Sequence, residues 1–84
     1  MSDNEKQLFE NLALQHMDNL YSNAIRLAKN TKDAETLVHH TYQSAFERFE
    51  QFDKNRDFEK WLNRILVLIY VNGFMIHHQK EKII

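Results

Sequence analysis

The sequence predicts an all-α protein, a compact bundle of three to four helices, from three observations. Proline is absent and glycine occurs once, at Gly73, so the tight turns that β-hairpins need have few places to form. Apolar residues recur at three- and four-residue spacings over most of the chain. Polar breaks between those stretches carry side chains that cap helices. With 84 residues, one domain spanning 1–84 is expected. A chain this short buries only about 60% of the surface its unfolded form exposes, so a partner is expected to complete its core.

The first periodic stretch, Glu5 to Lys29, places Leu8, Leu12, Leu20, Ala24, Leu27 and Ala28 on a stripe that Phe9, Met17, Tyr21 and Ile25 widen. It reads as one long helix or two short ones. Asn30 and Thr31 end it, and either can cap the next helix, whose first turn holds Asp33 and Glu35 in favourable contact with the helix dipole. That helix is expected from about Lys32 to Phe49, burying Ala34, Leu37, Val38, Thr41, Tyr42, Ala45, Phe46 and Phe49. Gln51 to Asp57 is a charged connection containing Phe52, and Asp57 is placed to cap a further helix from Phe58.

Phe58, Trp61, Leu62, Ile65 and Ile69 form the stripe of that last helix. From Ile65 onward the run ILVLIYV is apolar on every side and rich in β-branched residues, which in isolation also suits a strand. Continuity with the stripe begun at Phe58 favours helix. An all-round apolar helix needs cover on all sides. Val67, Leu68, Val71 and Phe74 are therefore expected to form a surface for a protein partner or a second copy of the chain, the alternative being a fully enclosed core. Gly73 marks either the helix end or a close backbone contact.

Composition narrows function. Cysteine is absent, which excludes disulfide frameworks and thiolate metal sites and suits a reducing compartment. The segment behind Met1 is polar and acidic, unlike a signal peptide, so cytoplasmic residence is expected. The 12-residue apolar stretch Ile65 to Ile76 is well short of the roughly 20 residues that span a bilayer, so no membrane role is expected. The adjacent pairs His39-His40 and His77-His78 should point apart on a helix, and no metal or other cofactor is expected. Neither a catalytic triad, a carboxylate pair nor a phosphate-cradling glycine loop stands out, so the chain does not read as an enzyme.

Charge is uneven. Residues 1–53 carry five Lys or Arg against nine Asp or Glu, whereas residues 54–84 carry six against three. An acidic first part and a basic second part suit an adaptor with two partners. Lys54, Arg56, Lys60 and Arg64 either contact phosphates or pair with Asp53, Asp57 and Glu59 on a solvated surface. Trp61, Phe46, Phe49, Phe52 and Phe58 read as core, with base stacking as the alternative.

Three stretches together, FENLALQHMDNLYSNAIRLAKN (9–30), DAETLVHHTYQSAFERFEQFD (33–53) and FEKWLNRIL (58–66), resemble region 2 of extracytoplasmic-function (ECF) sigma factors, the compact branch of the sigma-70 family. The resemblance implies a helical domain that docks on the clamp helices of the largest subunit of RNA polymerase core. The docking face would comprise Thr36, His39, His40 and Gln43, where the family usually has Asp, Gln and Glu at the first three. It also implies capture of promoter DNA, mainly the single-stranded −10 element and weakly by the domain alone. Lys54, Asn55, Arg56, Lys60, Arg64 and Asn72 would make that site; Leu68 stands where the family commonly has asparagine. The −35-reading domain of full ECF factors is missing, so the chain reads as an excised domain or as half of a split sigma factor whose other half is a separate −35-reading protein. The alternative is a sigma-like regulator that binds an anti-sigma factor or another protein without reading DNA, and a self-assembling homo-oligomer is a third reading.

Overall fold

The computed structural model describes residues 1–75 and contains four α-helices, with no strand among those residues. The protein is the all-α bundle that its periodicity predicts. Helix α1 spans Asp3–Gln15, α2 Met17–Ala28, α3 Thr31–Arg48 and α4 Phe58–Ile69. A 3₁₀ turn, Phe49–Gln51, extends α3, and a π-helical turn, Tyr70–Met75, extends α4. Among the described residues, no helix is long and apolar enough to cross a membrane.

Local chemistry sets the helix limits. Ser2 caps α1: its Oγ accepts from the Glu5 amide at 3.2 Å, and its hydroxyl donates to the Glu5 carboxylate at 3.3 Å. The stretch from Glu5 to Lys29 divides into two helices at His16, whose backbone leaves helical geometry. Lys29 ends α2 in the left-handed conformation, with its N–H donating to the Ile25 carbonyl at 2.7 Å. Of the two candidate caps for α3, Asn30 is the one used, accepting from the Asp33 amide at 2.8 Å. Asp57 caps α4 by accepting from the Lys60 amide at 3.2 Å.

Helix α3 is central and packs against both α2 and α4. Leu20, Ala24 and Ala28 from α2 meet Ala34, Leu37 and Ala45 from α3 and Leu62, Ile65 and Leu66 from α4 in one core. The alanines let the helix backbones come close, and the leucines fill the gaps between them. Thr41 is fully buried, and its hydroxyl donates to the Leu37 carbonyl at 2.7 Å, which satisfies it without a partner from another helix. Tyr42 donates its phenolic O–H to the Ala13 carbonyl at 2.7 Å, tying α3 to α1, and burial raises its pKa.

Several side chains expected inside lie at the surface. Leu8, Met17, Ile25 and Phe46 are each about two-fifths exposed. They occupy the edges of their stripes, where a helix packed on one side leaves room for water. Gly73 makes no close approach, since a Cβ there would meet nothing within 4 Å; it lies inside the π-helical turn instead. The apolar run after Ile65 is helical, and Val67, Leu68 and Val71 remain 41–49% exposed. The Phe74 side chain and the residues from 76 to the end, including His77 and His78, lie outside the described residues.

Candidate nucleic-acid interface

The link between α3 and α4 is built on aromatic rings. Phe49, Phe52 and Phe58 are buried, as the core reading expects, while Trp61 is half-buried. Phe52 stacks on Phe49 with centroids 5.9 Å apart and lies 4.6 Å from Trp61. Phe52 therefore anchors a connection that is otherwise polar. Above it the backbone makes a turn: Asn55 N–H donates to Asp53 Oδ1 at 3.0 Å and Arg56 N–H to the Asp53 carbonyl at 2.9 Å.

This arrangement creates an open cleft of about 340 Å³ lined by Phe52, Arg56, Asp57, Lys60, Trp61 and Arg64. Lys60 and Arg64 are one turn apart on α4, so they share a side with Trp61 between them. Neither has an ion-pair partner among the described residues, whereas Arg56 reaches Asp53 at 3.8 Å with four-fifths of its side chain exposed. Such an exposed pair holds Arg56 weakly. Chemically, the cleft is an aromatic floor surrounded by three cations, suited to a single-stranded anionic polymer whose bases stack and whose phosphates pair.

Three expected members of the site do not line this cleft. Lys54 turns back toward the end of α3: its ammonium donates to the Phe49 carbonyl at 2.7 Å and sits 4.3 Å from the Phe49 ring centroid. Asn55 stays exposed on the turn. Asn72 lines a second groove with Ser44, Arg48, Ile65, Leu68 and Ile69, between the end of α3 and the end of α4. Arg48 was not marked by sequence reasoning. The available signal was its position in the last turn of α3, directly before the aromatic link.

On α3, Thr36, His39, His40 and Gln43 are all exposed and lie opposite the buried Ala34, Leu37, Thr41 and Ala45. The imidazoles of His39 and His40 do not diverge as far as neighbouring helix positions suggest, because their rings tilt to within 6.0 Å of one another.

The family model described as Sigma-70 region 2 matches residues 12–73. The chain belongs to the sigma-70 family. The match runs from the last turn of α1 into the π-helical turn and includes every site residue named above except Phe74. This sigma region 2 domain thus carries its cleft, its α3 stripe and its second groove within the matched segment, while Glu5 and Phe9 precede it.

One further face of the sigma domain stands out. Val67, Leu68 and Val71 form an apolar ridge along α4. On its α2 side, Val67 borders a groove with Asn23, Arg26, Leu27, Asn63 and Leu66, where Asn23 donates to Asn63 at 2.9 Å and Arg26 donates to Asn23. On its α3 side, Leu68 borders the groove that holds Arg48 and Asn72.

Proposed function

We propose that this region 2 domain, residues 1–84 as one unit, docks on RNA polymerase core through Thr36, His39, His40 and Gln43 and holds the single-stranded −10 element of a promoter. Arg56, Lys60 and Arg64 contact phosphates, Trp61 stacks on a base, and Asn55 and Asn72 address base edges. The observation that carries the reading is the cleft itself, with three exposed cations around the Phe52–Trp61 floor. Sigma-70 factors act in transcription initiation by binding, not by catalysis. In this reading the chain is of ECF type, works in the cytoplasm, and a separate protein reads the −35 element.

The test is anisotropy of a labelled −10-like single strand in the presence of polymerase core, over a series of salt concentrations. Three phosphate contacts predict a log–log slope of about −2, at about −0.7 per phosphate on a single strand. Arg64→Gln should reduce that slope by about 0.7. Absence of binding with core present would sink the reading.

A second reading is supported by the exposed ridge of Val67, Leu68 and Val71. Here an anti-sigma factor, another protein or a second copy of the chain covers α4 and the domain touches no DNA. Leu68→Glu would then abolish capture of that partner while leaving polymerase binding intact. A strictly monomeric chain across concentrations would remove the second-copy form.

A further inference from the structure

Lys54 folds back along the surface onto its own chain. Its Nζ donates to the Phe49 carbonyl at 2.7 Å, sits 4.3 Å from the centroid of the same ring and lies 3.8 Å from Oε2 of Glu5. Phe9 approaches that ring too, edge-on at 5.2 Å, and also meets Phe46 at 5.4 Å and Phe58 at 6.1 Å. Lys54 and the first two turns of α1 therefore close on Phe49, the point from which the loop bearing Asn55 and Arg56 departs. Glu5 and Phe9 both precede residue 12, where the family match begins.

We infer that Lys54 is a positioning residue for the strand-binding cleft: with Phe9 and Glu5 it braces the loop 52–57, and it makes no phosphate contact of its own. The inference rests on the nucleic-acid reading above. The three contacts are unequal. The Glu5–Lys54 pair is more than a third exposed on both sides and contributes least. The charge-assisted bond to a helix-end carbonyl and the contact with the Phe49 ring hold the ammonium. Without them the loop samples other arrangements, and the affinity for the strand falls by the fraction of time the loop is misplaced. The number of phosphates neutralised does not change.

That difference gives the brace its own signature. The experiment uses the full chain with polymerase core, a labelled −10-like single strand and a salt series, together with amide exchange on the free chain. Lys54→Met should weaken binding about fivefold, the scale of one lost carbonyl bond and ring contact, with an unchanged salt slope. Exchange at Asn55 and Arg56 should rise in the same variant. Lys54→Arg, which can still donate and lie over the ring, should restore both. Arg64→Gln is the reference for a lost phosphate, with the slope reduced by about 0.7. If Lys54→Met flattens the slope as Arg64→Gln does and leaves exchange unchanged, Lys54 is a phosphate contact and the inference falls. It falls equally if Lys54→Met changes neither affinity nor exchange. Should the wild-type chain bind no single strand, the DNA reading fails, and unchanged exchange in the free Lys54→Met chain would separately overturn the brace.

Discussion

Helices α1 and α4 are of similar length, yet the fold holds them in different ways. Helix α4 buries Phe58, Leu62, Ile65 and Leu66, whereas α1 buries Phe9 alone and leaves Leu8 and Leu14 exposed. Leu12 and Ala13 are only partly buried against the core, and polar ties of α1 and its flank include the Tyr42 hydroxyl on the Ala13 carbonyl, the Glu5–Lys54 pair, and the Met1 amine on Glu50 at 2.6 Å. That amine, by its hydrogen bond first and its charge second, lowers the Glu50 pKa. At the junction of α1 and α2, Asn19 donates to Glu59 on the first turn of α4 at 3.1 Å, and His16 lies 3.8 Å from the same carboxylate. Burial area, not helix length, decides which helix belongs to the cooperative core.

Substitutions can break or sharpen this contrast. Leu62→Ala should cost about 2–5 kcal/mol in chemical denaturation, because a side chain 1% exposed leaves a cavity that three helices enclose. A loss confined to α4, with α2 and α3 still protected, would refute the idea of one core. Phe9→Ala should cost about 2 kcal/mol, the transfer term for one ring without a closed cavity, since α1 can lift away. Amide exchange should then rise throughout α1 and stay unchanged in α2–α4. Asp57→Ala should cost about 1 kcal/mol by removing the α4 cap. Tyr42→Phe should cost roughly 0.5–1.5 kcal/mol and loosen α1 selectively.

The smallest effect is expected on the ridge. Val67→Ser should change stability by no more than about 0.5 kcal/mol, because the side chain is 46% exposed in the isolated chain. A larger loss that grows with protein concentration would mean that the ridge is already covered by a second copy. Acid should act on the other region. With its folded pKa lowered, Glu50 contributes stability above its ordinary carboxylate pKa that is lost as pH falls through the folded value, so α1 exchange should rise in acid before α4 exchange does.

Much of this was legible along the chain. Asn30 and Asp57 stand immediately before periodic apolar stretches, and both are caps in the fold. Phe49, Phe52 and Phe58 read as core and are buried. Lys60 and Arg64 share a face by spacing alone, and the cleft contains both. Other features depended on neighbours distant in sequence. Lys54 looks like Arg56 on paper, but only Lys54 can reach the Phe49 carbonyl and Glu5. Phe46 shares the stripe of Leu37 and Ala45 and remains partly exposed, because Phe9 covers only one edge of its ring. Asn72 and Arg48 lie 24 positions apart and line one groove only because α4 returns along α3.

By itself, the sequence determined the helices, their caps, the central apolar stripes and the family to which they belong, because these follow from spacings of three or four residues and from side chains bonding to nearby amides. Tertiary structure decided which charges remain free and which apolar residues remain uncovered. Both depend on what another helix brings within a few ångströms: Glu5 and the Phe49 turn close on Lys54 and leave Lys60 and Arg64 open, while no element among the described residues covers Val67, Leu68 and Val71.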